Sequence, residues 1–133
     1  MRTALAYLFI DDIRNPYDYI KTQKGDILVV ARTYNAAIQA LDELQFNYVF
    51  FDNDLGEDKE GYDIAKYIIE HNIQIDGFKI QSMNPVGVKN IRELLTHYGY
   101  KEIWFFKKNM IKYIYKINKI KKLEGLIWKI MKN

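Results

Sequence analysis

Five short apolar runs, at residues 5–10, 27–32, 48–51, 78–80 and 103–106, divide this chain, and each stops abruptly at a polar or glycine-bearing turn. Between them, apolar residues recur at three- and four-residue steps. Ala37, Ile38, Leu41 and Leu44 make one such set, Ile64, Ala65, Ile68 and Ile69 a second, and Val88, Ile91, Leu94 and Leu95 a third. Short, uniformly apolar runs suit strands buried on both faces, and three-four spacing suits helices with one buried stripe. Strands alternating with helices build right-handed crossover units. The expected fold is therefore a single doubly wound α/β domain around a five-stranded parallel sheet.

Local signals refine the elements. Asn15-Pro16 marks a turn, because the residue before proline is pushed out of the α region, so any helix between there and Gly25 is short. Asn35 is the expected N-cap of the next helix, and residues 61–71 form another. Asn84 caps the helix after the fourth strand, with Pro85 in its first position and Gly99 as its stop. A last helix is expected from about residue 110 to 131, with a break at Gly125.

At 133 residues the length fits one domain. The chain has no cysteine, which excludes disulfides, thiol catalysis and cysteine-ligated zinc. No run reaches the roughly 18 apolar residues that span a bilayer. The first apolar run passes straight into Asp11-Asp12, unlike a signal peptide, so a cytoplasmic location is expected. The net charge of +3 hides an asymmetry: residues 107–133 hold nine lysines and one acid, Glu124, while the remainder is acidic overall.

The topology brings strand ends carrying Asp11, Asp12, Asp52, Asp54 and Ser82 to one edge of the sheet, where doubly wound proteins bind ligands. Carboxylates crowded together repel, and a divalent cation relieves that repulsion. Hard oxygen donors suit Mg²⁺ or Mn²⁺, which can clamp a phosphate or activate water. Ser82, Asn84 and the amides opening the following helix offer an anion site. Each feature also has a plainer reading: aspartates after strands serve as turn residues and caps, and Ser82-x-Asn84-Pro85 is a good helix cap. His71 and His97 read as helix-end residues favoured by the helix dipole.

Four segments together resemble the cyclic-phosphate-processing receiver family, a divergent branch of response-regulator receivers. They are Leu8-Phe9-Ile10-Asp11-Asp12-Ile13-Arg14-Asn15-Pro16, Phe51-Asp52-Asn53-Asp54-Leu55-Gly56, Gly61-Tyr62-Asp63 and Gln81-Ser82-Met83-Asn84-Pro85-Val86-Gly87. The resemblance implies a receiver (flavodoxin-like) sheet of order 2-1-3-4-5 with a reduced first helix. It also implies a role in binding or hydrolysing cyclic phosphates, with nucleotide-derived ligands expected. On this resemblance Asp11, Asp12 and Asp52 are the metal ligands, and Asp52 matches the acid that ordinary receivers phosphorylate. Asp52 and Asp54, with Asn53 and Gln81, occupy the catalytic positions. Ser82, Asn84, Arg14 and Lys107 would bind the substrate phosphate. The family pattern has histidine where this chain has Asn53 and Gln81. Both replacements keep hydrogen bonding and lose titration near neutral pH.

The chain thus divides into a receiver-like core at 1–109 and an amphipathic basic helix at 110–133. Ile111, Ile114, Ile117, Ile120, Leu123, Ile127 and Ile130 form its apolar stripe. One reading packs it on the sheet. Another gives its far end to a second copy, a protein partner or an anionic surface. The acidic body argues against a large nucleic-acid footprint. Three functions follow: metal-dependent cyclic-phosphate binding with slow hydrolysis, phospho-acceptance at Asp52, or a non-catalytic adaptor working through the tail.

Overall fold

The first apolar run becomes the centre of a parallel sheet. The computed structural model describes residues 3–103. They form β1 (Ala6–Ile10), a 3-10 turn (Pro16–Asp18), β2 (Ile27–Ala31), α1 (Tyr34–Glu43), β3 (Tyr48–Phe51), α2 (Gly61–Glu70), β4 (Gly77–Ile80) and α3 (Pro85–His97). The sheet order is β2-β1-β3-β4, with every pairing parallel. Residues 101–103 return beside β4: Ile103 N–H donates to Phe78 O at 2.8 Å, and Phe78 and Glu102 form a parallel bridge. The rest of the expected fifth strand, Lys107, the last helix and the expected boundary at 109 lie outside the described residues.

Contacts divide the chain into two units, residues 1–16 with 22–104 and residues 17–21 with 105–133. In the first, side chains alternate across the strands as the pleat requires. Leu8, Ile10, Val49 and Phe51 join Ala37, Leu41, Ile64, Ala65, Ile68, Ile91 and Leu95 in one apolar cluster, so α1, α2 and α3 share a face of the sheet. Tyr7, Phe9 and Phe50 pack with tilted rings on the other face and are also buried. Burial on both faces explains why the central strands read as continuous apolar runs. Of the second unit, residues 17–21 are described; Ile20 is buried and Tyr17 exposed. Among the described residues no helix is long and apolar enough to cross a membrane.

One local expectation is adjusted and one is met. Thr33, not Asn35, caps α1: its hydroxyl accepts the Ala36 N–H at 3.1 Å. The helix starts early because a carboxylate from another loop, Glu57, accepts the Tyr34 N–H. The short first helix is reduced to the single 3-10 turn after Asn15. Asn84 caps α3 as expected, its Oδ1 accepting the Gly87 N–H at 3.1 Å, with Pro85 first in the helix.

One residue fastens the amino edge of the sheet. Asn47 Oδ1 accepts the Ala6 N–H at 2.8 Å, and Asn47 Nδ2 donates to Asp76 Oδ2 at 2.9 Å. Its carbonyl accepts the N–H groups of Asp76 and Gly77 at 2.7 and 3.2 Å. Three strands are thereby joined at their starts, and none of these bonds was signalled by periodicity. Asn47→Ala leaves the partly buried Ala6 N–H unpaired, removes the exposed bond to Asp76, and is expected to cost about 1–3 kcal/mol. Urea denaturation measures this, and an unchanged midpoint would contradict the clamp.

Candidate active site at the carboxyl edge

Register creates the site. Ile10 pairs with Phe51, and Phe51 with Ile80, so the next residues along, Asp11, Asp52 and Gln81, emerge side by side. The ladder continues one step beyond the strands: Asp52 N–H donates to Ile10 O and Gln81 N–H to Phe51 O, both at 2.8 Å. Asp11, Asp12 and Asp52 each present an oxygen within 4.8 Å of the others. Asp11 and Asp52 are buried and Asp12 half-buried.

Buried carboxylates need donors, and the chain supplies them locally. Asp11 Oδ1 accepts the N–H groups of Ile13 and Arg14 at 3.1 and 2.8 Å. Asp52 Oδ1 accepts the Asp54 N–H at 3.3 Å. The Arg14 guanidinium bridges the pair, with Nη1 at 3.0 Å from Asp11 Oδ2 and 3.2 Å from Asp52 Oδ2. Even so, burial pushes the Asp52 carboxyl up from 3.8 to about 6, helped by the Asp11 charge and opposed by Arg14, the Asp54 N–H and the Ser82 hydroxyl.

The other candidate residues fall around this centre. The Ser82 hydroxyl lies near enough to Asp52 to favour its ionised form, and its Oγ accepts the Asn84 N–H at 3.2 Å. Asn84 Nδ2 donates to Asp54 Oδ1 at 3.3 Å, which links the exposed Asp54 to the start of α3. Asn53 is buried; its Oδ1 accepts the Tyr62 N–H at 3.2 Å and its Nδ2 faces Asp54 Oδ1 at 3.4 Å. Gln81 is buried too, and its Nε2 reaches across β3 to donate to Ile10 O at 3.0 Å. That bond fixes the amide's orientation and leaves Gln81 Oε1 buried without a hydrogen-bond partner among the described residues. Arg14 is in the site as well, its guanidinium between the acids. Lys107 lies outside the described residues.

Three contributors carried no role in the sequence reading. A Cβ on Gly61 would stand 2.1 Å from Asp52 O, so only glycine lets α2 start against that strand end. A Cβ on Gly87 would stand 2.6 Å from Asn53 Nδ2, so α3 begins against the Asn53 amide for the same reason. Arg32, just after β2, donates to Asp11 O at 3.2 Å and Arg14 O at 2.7 Å. Its place at the end of the strand beside β1 is the signal that could have found it. A cleft of about 520 Å³ opens at the opposite edge, lined by Ile69, Asn72, Asp76, Tyr98 and Lys101 among others. It lacks the carboxylate cluster, so the acidic edge is the better candidate.

Asp11, Asp12 and Asp52 offer the hard oxygen donors that a small divalent cation prefers, and their spacing fits one such ion. A four-stranded parallel sheet of this order, with helices and with acids at its carboxyl edge, defines a receiver-type α/β domain. The chain belongs to the cyclic-phosphate processing receiver domain family, whose model matches residues 6–97. No curated protein matches it. Among solved structures, one described as the yeast Spc42 trimeric coiled coil, amino acids 181–211, fused to another structure is similar to it. That likeness has 20% identity and a TM-score of 0.55, over 97% of this chain and 95% of that one, and it is one of fold alone.

Asp52 also fixes a pH dependence. Its folded-state value is raised above the unfolded one, so its contribution to stability is fully present below pH 3.8 and is lost as pH rises through about 6. With divalent cations chelated, wild type should therefore lose stability relative to Asp52→Asn across that interval. Urea midpoints of the two chains moving in parallel with pH would contradict the burial argument.

Proposed function

We propose that the acidic edge binds a cyclic phosphate or related nucleotide-derived phosphate together with Mg²⁺ or Mn²⁺, and hydrolyses it slowly. The observation that carries this reading is the convergence of three carboxylate oxygens within 4.8 Å at the carboxyl edge of a domain of this family. Asp11, Asp12 and Asp52 would hold the cation, which supplies Lewis-acid polarisation of a phosphoryl oxygen. Ser82 and Asn84 orient the phosphate from the start of α3, with Lys107 as a further cation. Asp54, linked to Asn84, would accept a proton from attacking water.

Asn53 and Gln81 sit in the site as positioning groups. Asn53 ties the α2 start to Asp54, and Gln81 ties β4 to β1. Neither can shuttle a proton near neutral pH, and an imidazole in that role is worth about 10²–10⁴-fold in rate. Turnover is accordingly expected to be slow, with binding the dominant property. Gln81 Oε1, buried and without a partner among the described residues, supports a ligand or water that donates a hydrogen bond.

A second reading is favoured by the Ser82 hydroxyl at the Asp52 carboxyl, which suits phosphoryl acceptance at Asp52. Beryllofluoride should then perturb wild type and leave Asp52→Asn unmoved. The basic segment 110–133 is proposed as a contact surface for a second copy or a protein partner, and the core as residues 1–109.

Calorimetric titration with Mn²⁺ of wild type and Asp52→Ala, followed by 2′,3′-cyclic and cyclic mono- and dinucleotides, tests the main reading. The expected result is metal binding that Asp52→Ala abolishes and cyclic-phosphate binding that metal strengthens. Folded protein that binds neither removes the proposal.

A further inference from the structure

We infer that Arg14 decides the order in which the acidic edge takes its ligands: its guanidinium holds the place of the cation, and a divalent ion binds tightly once an anionic phosphate draws that guanidinium away. The inference rests on the proposed function and assigns a specificity-determining residue to the same site.

The oxygen inventory of the two buried acids leads here. Asp11 Oδ1 is taken by two backbone N–H groups and Asp52 Oδ1 by one. The other oxygen of each acid, Oδ2, is engaged by the same nitrogen, Arg14 Nη1, at 3.0 and 3.2 Å. An Mg²⁺ ion sits at about 2.0–2.1 Å from its oxygens. An ion on those two oxygens would meet the guanidinium charge with no water between them, so the two cations compete for one place.

Arg14 is built to leave while its surroundings stay. Its side chain is 23% exposed, against 0% for Asp11 and 5% for Asp52, so a path to solvent exists for the arginine and not for the acids. Its backbone is pinned on both sides: its N–H donates to Asp11 Oδ1 at 2.8 Å, and its carbonyl accepts from Arg32 Nη1 at 2.7 Å. Its bond to Gln81 O, at 3.3 Å, is long. A guanidinium exchanges carboxylate for phosphate readily, because its planar fork matches both. Phosphate arriving at Ser82 and Asn84 therefore gives Arg14 a new partner and frees two carboxylate oxygens for the ion. By linkage, each ligand then raises the affinity of the other by the same factor.

The test is calorimetric titration of the full chain with Mn²⁺, with and without inorganic phosphate, in wild type, Arg14→Gln and Arg14→Lys. Wild type should bind Mn²⁺ weakly alone and roughly 5- to 150-fold more tightly with phosphate present. Arg14→Gln should bind Mn²⁺ tightly without phosphate and gain little from it. Arg14→Lys, which keeps the charge and loses the fork, should retain a weaker form of the wild-type coupling, and it serves if Arg14→Gln does not fold. Phosphate-free affinity in Arg14→Gln equal to or below that of wild type overturns the inference, as does a wild-type affinity indifferent to phosphate. Coupling to inorganic phosphate without binding of any cyclic phosphate upholds it while removing the proposed substrate class.

Discussion

Two carboxylates are held side by side, out of water, because two parallel strands end in register. That juxtaposition is the constraint around which the rest of this domain is arranged. Asp11 and Asp52 follow directly on paired residues of β1 and β3, so neither can move away without shifting a central strand. Their mutual repulsion and desolvation have to be offset on the spot. The turn after β1 does part of this, folding its own amides back onto Asp11. Arg14 completes the arrangement, and Arg32 secures the turn that carries it. The reduced first helix follows from the same demand, since residues that cap a carboxylate cannot continue as regular helix.

Much of the fold was legible because it rests on periodicities that tertiary structure leaves intact. Four apolar runs became the four described strands, and the strong caps at Asn84-Pro85 and Gly99 were honoured. What was not legible depends on partners distant in the chain. Thr33 displaced Asn35 as a cap because Glu57, more than twenty residues away, satisfies the preceding amide. Asn47 gathers three strands through contacts that no local pattern encodes.

The candidate site divides in the same way. Its acids were legible because strand termini in a doubly wound sheet collect at one edge. The internal wiring was not. Arg14 was expected to meet a phosphate, and in the structure its guanidinium lies on the acids. Gly61 and Gly87 belong to the segments that resemble the family, yet their service is to be absent in bulk: one clears a carbonyl, the other an amide. The two replaced histidine positions turn out to be buried hydrogen-bonding posts. An amide fills such a post with a donor and an acceptor that do not titrate near neutral pH.

The weakened acidity of the buried Asp52 carboxyl has a consequence for stability. A buried acid kept ionised at neutral pH is a standing burden on the folded state, and replacing it with a neutral residue of similar size is among the easier ways for a chain to become more stable. Drift under selection for foldability alone would run in that direction. Holding this acid out of water beside Asp11 therefore works against foldability, a cost that a ligand drawing on its charge would offset.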